Sequence, residues 1–88
     1  MKLMFKKKLG AVLTKRDNKF IIVKGMDVYN LTETTARIFD LCNGKHNMDD
    51  MIVKIRKVYE VDVEELREDI RYCLSELEGL DLIKVINR

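Results

Sequence analysis

Residues 26–44 read MDVYNLTETTARIFDLCNG, and within them the pattern changes from that of a strand to that of a helix. As far as Leu31 the stretch fits a strand, with Met26 and Val28 pointing to one side and Tyr29 and Leu31 to the other. From residue 32 onward the apolar residues recur every three or four positions, as they do on one face of a helix. The stretch predicts a sheet that passes directly into helices.

Two further strand-like segments precede this stretch. Residues 11–16 alternate loosely, and residues 20–23 (FIIV) are the β-branched and aromatic types that strands prefer. Between them Asp17-Asn18 predicts a two-residue hairpin loop, because both residues tolerate positive φ. With Lys24-Gly25 as the next turn, the three segments form a predicted three-stranded antiparallel β-meander.

Three helices and a short tail are predicted after the meander. Thr32 caps the first helix, which Asn43-Gly44 is expected to end because glycine suits the left-handed position past a helix terminus. Asn47 caps the second helix, and Asp62 opens the third and longest one. Residues 82–86 form an apolar tail that can make a short last strand. This order of elements predicts an α+β fold of the winged helix-turn-helix type.

The composition fits one small globular domain over residues 1–88, in which 47% of the residues are apolar and 36% are charged. No apolar run approaches the roughly 20 residues that cross a bilayer. The basic start of the chain lacks the apolar stretch of a signal peptide. We therefore expect a cytoplasmic protein, away from the membrane, as a monomer or a homodimer.

Charge is unevenly distributed along the chain. Residues 1–24 hold eight basic residues and one acid, whereas residues 25–88 hold nine basic residues and fourteen acids. Residues 1–10 can be a flexible basic arm, which would hint at nucleic acid. They can equally be a chain end whose lysines guard a sheet edge, which is the interpretation we favour. The sequence does not decide whether these residues are ordered.

No catalytic or metal-binding constellation is visible in the sequence. The chain has two cysteines, Cys42 and Cys73, and one histidine, His46. Because neither cysteine belongs to a C-x-x-C pair, the nearby soft ligands of a zinc or iron–sulfur site are missing. Both cysteines fall among apolar residues at helical spacing, where a small buried thiol is the ordinary role. We expect no enzymatic activity, no metal and no cofactor.

A winged-helix outline makes a DNA-binding transcriptional regulator the alternative function. Residues 62–79, the third helix, carry seven acids and two arginines. Phosphate neutralisation provides most non-specific affinity for DNA, so a helix of this charge would be repelled. The charge pattern disfavours nucleic acid as a partner.

The third predicted strand, residues 26–31, is the feature that remains. An outer strand of a meander keeps a row of unpaired backbone groups, and this one carries one acid and no lysine to guard them. Beside an amphipathic helix, such an edge can accept a guest strand. The alternative is that the chain's own last strand, or a second copy, covers the edge. The residue pattern leaves both interpretations open.

Residues 31–44, LTETTARIFDLCNG, resemble the LNETAAxIxxLxxG stretch of the PqqD-like family. That family comprises peptide-recognition domains from pathways that make and modify ribosomal peptides. The likeness continues through residues 51–52, 59–62 and 69–77 and covers nearly the whole chain. Two positions depart from the family pattern, since Thr32 replaces its usual Asn and Asp81 falls where it usually has Gly.

The resemblance implies a module that binds the leader of a precursor peptide, while a separate enzyme, often a radical SAM protein, modifies the core. In that family the leader lies antiparallel along the third strand of the meander and against the third helix. Arginines on that helix would suit an acidic leader. The predicted peptide contacts are Met26, Asp27, Val28, Tyr29 and Asn30 on the strand, and Arg67, Ile70, Arg71 and Leu74 on the helix, with Tyr72 as a weaker candidate.

Overall fold

A computed structural model describes residues 3–87 of the chain. Its elements confirm the predicted α+β fold, with a meander, three helices and a short C-terminal strand. In chain order the elements are β1 (Leu3–Lys7), β2 (Val12–Arg16), β3 (Lys19–Lys24), β4 (Asp27–Leu31), α1 (Glu33–Asp40), α2 (Met48–Arg56), α3 (Val63–Gly79) and β5 (Ile83–Asn87).

The meander is an antiparallel sheet with the strand order β2-β3-β4. Asp17 and Asn18 have φ values of 52° and 65°, which confirms the predicted two-residue loop between β2 and β3. Positive φ at both positions is the hallmark of a type I′ turn, whose twist matches that of the flanking strands. Gly25, with φ of 63°, opens the second two-residue turn, which joins the register partners Lys24 and Asp27.

The two ends of the chain pair with each other. β1 and β5 form an antiparallel two-stranded sheet that runs from the pair Leu3–Asn87 to the pair Lys7–Ile83. Phe5 and Ile83 point into the core and are 6% and 1% exposed. Residues 3–7 therefore form a strand that packs on the core, and residues 1–2 lie outside the described part.

The segment after α1 lies against β1. The helix ends at Asp40, three residues before the predicted Asn43-Gly44 stop. The Gly44 N–H donates to the Phe5 carbonyl at 2.8 Å, and the Lys7 N–H donates to the Cys42 carbonyl at 3.1 Å. Gly44 has φ of 81°, so its backbone freedom serves this contact with β1 and not the helix end.

All three predicted N-caps are confirmed. The Thr32 hydroxyl accepts from the Thr35 N–H at 3.2 Å, and an Asp62 carboxylate oxygen accepts from a third-position N–H in α3. Asn47 and Asp50 form a reciprocal capping box, with bonds of 2.8 and 3.0 Å. Each cap satisfies backbone N–H groups that have no partner inside the helix.

The core lies where the meander, the helices and the β1–β5 pair meet. Cys42 is fully buried there, as the sequence predicted, whereas Cys73 is only half-buried. Within residues 3–87 no helix has the length and apolar character needed to span a membrane. The buried cluster consists of Phe5, Ile22, Ile38, Phe39, Cys42, Met51, Ile52, Ile55, Leu66, Ile70, Leu74, Leu77, Leu82 and Ile83.

Candidate functional site

The outer edge of β4 is open in the described chain. β4 pairs with β3 on one side, and no strand within residues 3–87 pairs with its other side. The last strand, β5, pairs with β1 instead. The chain's own last strand therefore does not occupy this edge, which excludes that part of the alternative and leaves a guest strand or a second copy as the occupant.

Val28 and Asn30 direct their backbone N–H and C=O groups toward the open edge. Lys24 and Asp27 flank the two-residue turn that precedes β4, and residues that flank such a turn form a hydrogen-bonded pair, so Asp27 bonds to β3. Antiparallel pairs alternate between bonded and non-bonded positions, which places Val28 and Asn30 at non-bonded positions. The edge thus offers two donors and two acceptors to a guest strand.

A groove of about 440 Å³ runs between β4 and α3. On one side it is lined by β4 from Val28 onward and by the first turn of α1, and on the other by the α3 face that carries Cys73, Glu76 and Leu77. Val28, Tyr72 and Leu80 expose 54%, 70% and 38% of their surfaces at this groove. Exposed apolar side chains beside an unpaired strand edge are the features of a surface that binds a peptide.

β4 and α3 run in opposite directions along the groove. The Lys24 ammonium, next to the start of β4, donates to the Asp81 carboxylate at 2.8 Å and to the Asp81 carbonyl at 2.7 Å, just past the end of α3. At the other end the Thr35 hydroxyl lies 3.4 Å from the Cys73 sulfur. These contacts hold the two walls of the groove together at both ends.

Asp81 ends α3 and anchors two lysines. Its φ is 62°, and its N–H donates to the Glu78 carbonyl while the Leu82 N–H donates to the Leu77 carbonyl, both at 3.0 Å. This is a Schellman motif in which Asp81 takes the position usually filled by glycine. Hydrogen bonds from Lys24 and Lys8 hold the pKa of the Asp81 carboxyl below its usual range.

The two cysteines differ in their surroundings. Burial raises the pKa of the Cys42 thiol to about 12. Burial also raises the pKa of the Cys73 thiol; the Thr35 hydroxyl opposes this, and the negative charges of Glu76 and Asp69 add to it. Cys73 is the thiol that lines the groove, and two carboxylates lie near it.

The strand residues predicted from the sequence lie at the open edge. Val28, Tyr29 and Asn30 line the groove. Asp27 begins β4, and Met26 is 99% exposed in the turn before it. The structure thus brings the predicted strand ledge together on one edge, next to the groove.

The weaker helix candidate Tyr72 lines the groove, whereas the four main helix candidates lie elsewhere on α3. Ile70 and Leu74 are 0% and 4% exposed in the core. The Arg67 guanidinium donates to the Asp49 carboxylate of α2 at 3.0 Å, and Arg71 is exposed and does not line the groove. Their contact with a peptide stays a prediction, but the face that α3 turns to β4 is a different one.

That face could have been found from a weak signal in the sequence. Tyr72, Cys73, Glu76 and Leu80 share one side of a helix at spacings of three and four residues, beside the stripe that is buried. Tyr72 and Leu80 carry large apolar groups but lie outside the narrow stripe that faces the core. Apolar residues just outside a core stripe indicate a second, partly exposed contact surface.

The fold and the groove define a winged helix-turn-helix module with an open β-edge. Residues 21–83 match the family model described as Coenzyme PQQ synthesis protein D (PqqD), a range that begins in β3 and ends at the start of β5. The chain therefore belongs to the PqqD family, which confirms the resemblance seen in the sequence. No curated protein gives a significant match to the chain.

Two solved structures share this fold. TbiB1 in complex with the TbiA(beta) leader peptide is 20% identical, with a TM-score of 0.76 over 90% of this chain and 94% of that one. Lasso peptide synthetase B1 complexed with the leader peptide is 18% identical, with a TM-score of 0.78 over 91% of this chain and 96% of that one. At such low identity the likeness establishes the fold alone.

Proposed function

We propose that this chain binds the leader segment of a ribosomally synthesised precursor peptide and presents it to a separate modifying enzyme. The observation that carries the proposal is the open edge of β4 beside the apolar groove. Membership of the PqqD family supports it. So does the fold shared with two proteins whose solved structures contain a leader peptide.

The leader would add as a strand to β4. Its main chain bonds to the outward N–H and C=O groups of Val28 and Asn30, which gives affinity for any extended segment. Alternate side chains of the guest then point into the groove, where pockets give selectivity. β4 has five residues, so the docked segment spans roughly 17 Å.

On the helix side the contacts come from the groove face of α3. Residues 26–30 remain the proposed strand ledge, and the proposed wall consists of Tyr72, Cys73, Glu76, Leu77 and Leu80. The buried Ile70 and Leu74 act indirectly, because they fix α3 against the core and so set the orientation of that wall. Arg67 acts in the same way through its bond to α2.

The chain performs no turnover of its own in this proposal. The groove provides backbone bonds and apolar contacts, which hold a peptide but do not activate a covalent bond. The chemistry belongs to a partner enzyme, for which a radical SAM protein is one class found in such pathways. The proposal places the chain in the cytoplasm, where a ribosomal product first becomes available, as a monomer or a homodimer.

Calorimetric titration with the leader encoded by a neighbouring precursor gene tests the proposal. We expect micromolar to submicromolar affinity, about −8 to −9 kcal/mol, because a leader that is disordered when free loses entropy on docking. Val28→Pro removes one outward N–H and should weaken binding about tenfold or more, since proline at such an edge position cannot donate.

Lys15→Pro is the matched control. Lys15 lies in β2 opposite Phe20, at a non-bonded position, so its N–H faces the other edge of the same sheet. This variant should bind the leader like the original chain. An absence of binding at tens of micromolar, or equal affinity for the original chain and Val28→Pro, would contradict strand addition at β4.

A further inference from the structure

The charge inside the groove is negative. Glu76 is the one charged side chain among the described residues that line it. The arginines that the sequence suggested as partners for an acidic leader do not line the groove, and Arg67 is already bonded to Asp49. The groove therefore presents an uncompensated carboxylate to whatever strand docks on β4.

Glu76 lies near the middle of the groove. The contacts of Lys24 with Asp81 and of Thr35 with Cys73 mark its two ends. With a rise of 1.5 Å per residue, Glu76 is about 4.5 Å along the helix axis from Cys73 and about 7.5 Å from Asp81. Glu76 therefore lies level with the central part of β4, where Val28 and Asn30 would hold a guest strand.

The nearby cations do not neutralise this carboxylate. Lys24 and Lys8 are bound to Asp81, with N–O distances of 2.8 and 3.1 Å. The neighbour of Glu76 is Tyr72, whose pKa is raised by that carboxylate. A carboxylate has about four acceptor sites, so Glu76 can accept from a guest cation beside the phenol.

Apolar surface lies on both sides of Glu76. Leu80 lies beyond it toward the Asp81 end, and Cys73 lies toward the Thr35 end. The buried Leu77 forms the floor of the groove. Side chains of a guest strand that face the groove are two residues apart, or about 7 Å. The guest residue that lies opposite Glu76 is thus followed and preceded, two positions away, by guest residues that reach these apolar positions.

We propose that Glu76 selects a guest strand with Lys or Arg at the centre of the docked segment and apolar residues two positions before and after it. The inference rests on the proposed function and gives it a sequence preference. An acidic residue at the central position is excluded, because it would bring two carboxylates together in a partly desolvated groove.

Selection from a displayed library of random nonapeptides tests this preference. On the original chain we expect enrichment of the pattern apolar-x-basic-x-apolar, where x is any residue. Glu76→Gln should lose the basic preference and keep the apolar one. Glu78→Gln is the matched control, since Glu78 is an exposed acid of the same helix that does not line the groove, and it should behave like the original chain.

Synthetic peptides then measure the contact. In the best enriched peptide, replacing the central Lys or Arg with Gln should weaken binding to the original chain about two- to fivefold, the range for a partly exposed ion pair. The same replacement should change binding to Glu76→Gln by less than about 1.5-fold, which the double-mutant cycle isolates as the coupling between the two side chains.

The outcomes separate the inference from the proposed function. Peptides that bind at β4, as judged by their loss on Val28→Pro, but show no basic preference would overturn the inference and leave the function intact. A basic preference that survives Glu76→Gln would also overturn it. A library with no peptide sensitive to Val28→Pro would contradict strand addition, and the inference would fall with it.

Discussion

Asp81 terminates α3 and also joins the two walls of the groove at one end. A glycine would adopt its φ of 62° more readily, but it could not hold Lys24 and Lys8. Lys24 is the last residue of β3 and Lys8 directly follows β1, so one carboxylate joins both sheets to the last helix. Compared with the family's usual glycine, Asp81 adopts the left-handed backbone less readily but adds a tertiary contact.

The lowered pKa of Asp81 predicts the sign of a pH effect on stability. Because the folded pKa lies below the unfolded one, this contribution is complete above about pH 4 and is lost as the pH falls through the folded pKa. Asp81→Asn keeps a residue that tolerates left-handed backbone but cannot ionise. Urea unfolding should show the original chain as more stable than Asp81→Asn at pH 6, and the two should converge toward pH 3.

Asp17→Asn is the control for that measurement. Asp17 also has positive φ, and it forms no ion pair with the described residues. Its replacement should shift the unfolding midpoint equally at both pH values. A difference between the original chain and Asp81→Asn that stays constant from pH 6 to pH 3 would mean that the lysine contacts do not stabilise the fold.

The two thiols should react differently with a maleimide. With a pKa of about 12, only about one Cys42 thiol in ten thousand is ionised at pH 8, and the side chain is fully buried. Cys73 is half-buried at the groove and should be the only site labelled in the native protein, whereas both react in urea. Mass spectrometry identifies the site, and Cys73→Ser should leave native protein unlabelled.

Labelling of Cys73 also reports on the groove. A bound leader would cover this thiol, so saturating leader should slow its labelling severalfold while labelling in urea stays the same. Unchanged labelling in the presence of a leader that binds by calorimetry would place the peptide away from α3.

At the scale of single elements, caps and turns explain where each helix and strand begins. α2 has nine residues, too few for a stable isolated helix, so its start depends on the Asn47–Asp50 box and on packing. In β4, one glycine turn sets which backbone groups face outward. Local chemistry at an element's first residues therefore fixes where the helices begin and which backbone groups face the open edge of β4.

The capping box of α2 provides a quantitative test. Asn47→Ala removes the acceptor for the Asp50 N–H and should lower the free energy of unfolding by about 1 kcal/mol, in the range of 0.5–2 known for N-caps. Asn47→Ser keeps a cap oxygen and should recover most of that loss in urea unfolding. Equal stability of the alanine and serine variants would show that burial of the site, not the cap, stabilises the helix.

At the scale of the whole molecule, β1 joins the N-terminal segment to the fold. It pairs with β5, it bonds to the segment after α1, and it places Phe5 in the core. By taking β5 as its partner it also leaves the outer edge of β4 open. The pairing of β1 with β5 thus accompanies the open edge of β4 at the candidate site, although β1 lies outside the groove.

Truncation of Phe5 tests that role. Phe5→Ala should lower the free energy of unfolding by about 3 kcal/mol, the low end of the range for a buried phenylalanine. Leu9→Ala, at a side chain that is 98% exposed in the loop after β1, should change it by less than about 0.5 kcal/mol. Equal effects in chemical denaturation would mean that β1 does not stabilise the fold.

Sequence reasoning recovered the meander, its hairpin loop, the three helices and their caps, and it located the strand ledge of the candidate site. It left the order of residues 1–10 undecided, and among its helix candidates only the weaker one, Tyr72, lies at the groove. Periodicity identifies the apolar stripe that contains Ile70 and Leu74, but not which neighbour covers it. The core face and the groove face of α3 differ by about one residue, or 100°, around the helix axis.

The sequence by itself determined the local features of this protein, because a cap, a turn or a helical stripe depends on residues within a few positions of one another. The tertiary structure alone decided which edge stays open and which face of α3 borders it. Those outcomes depend on contacts across the chain, such as Lys24 with Asp81, 57 residues apart, and the pairing of Phe5 with Val85. No local pattern encodes which of several compatible partners a strand or a helix face will meet.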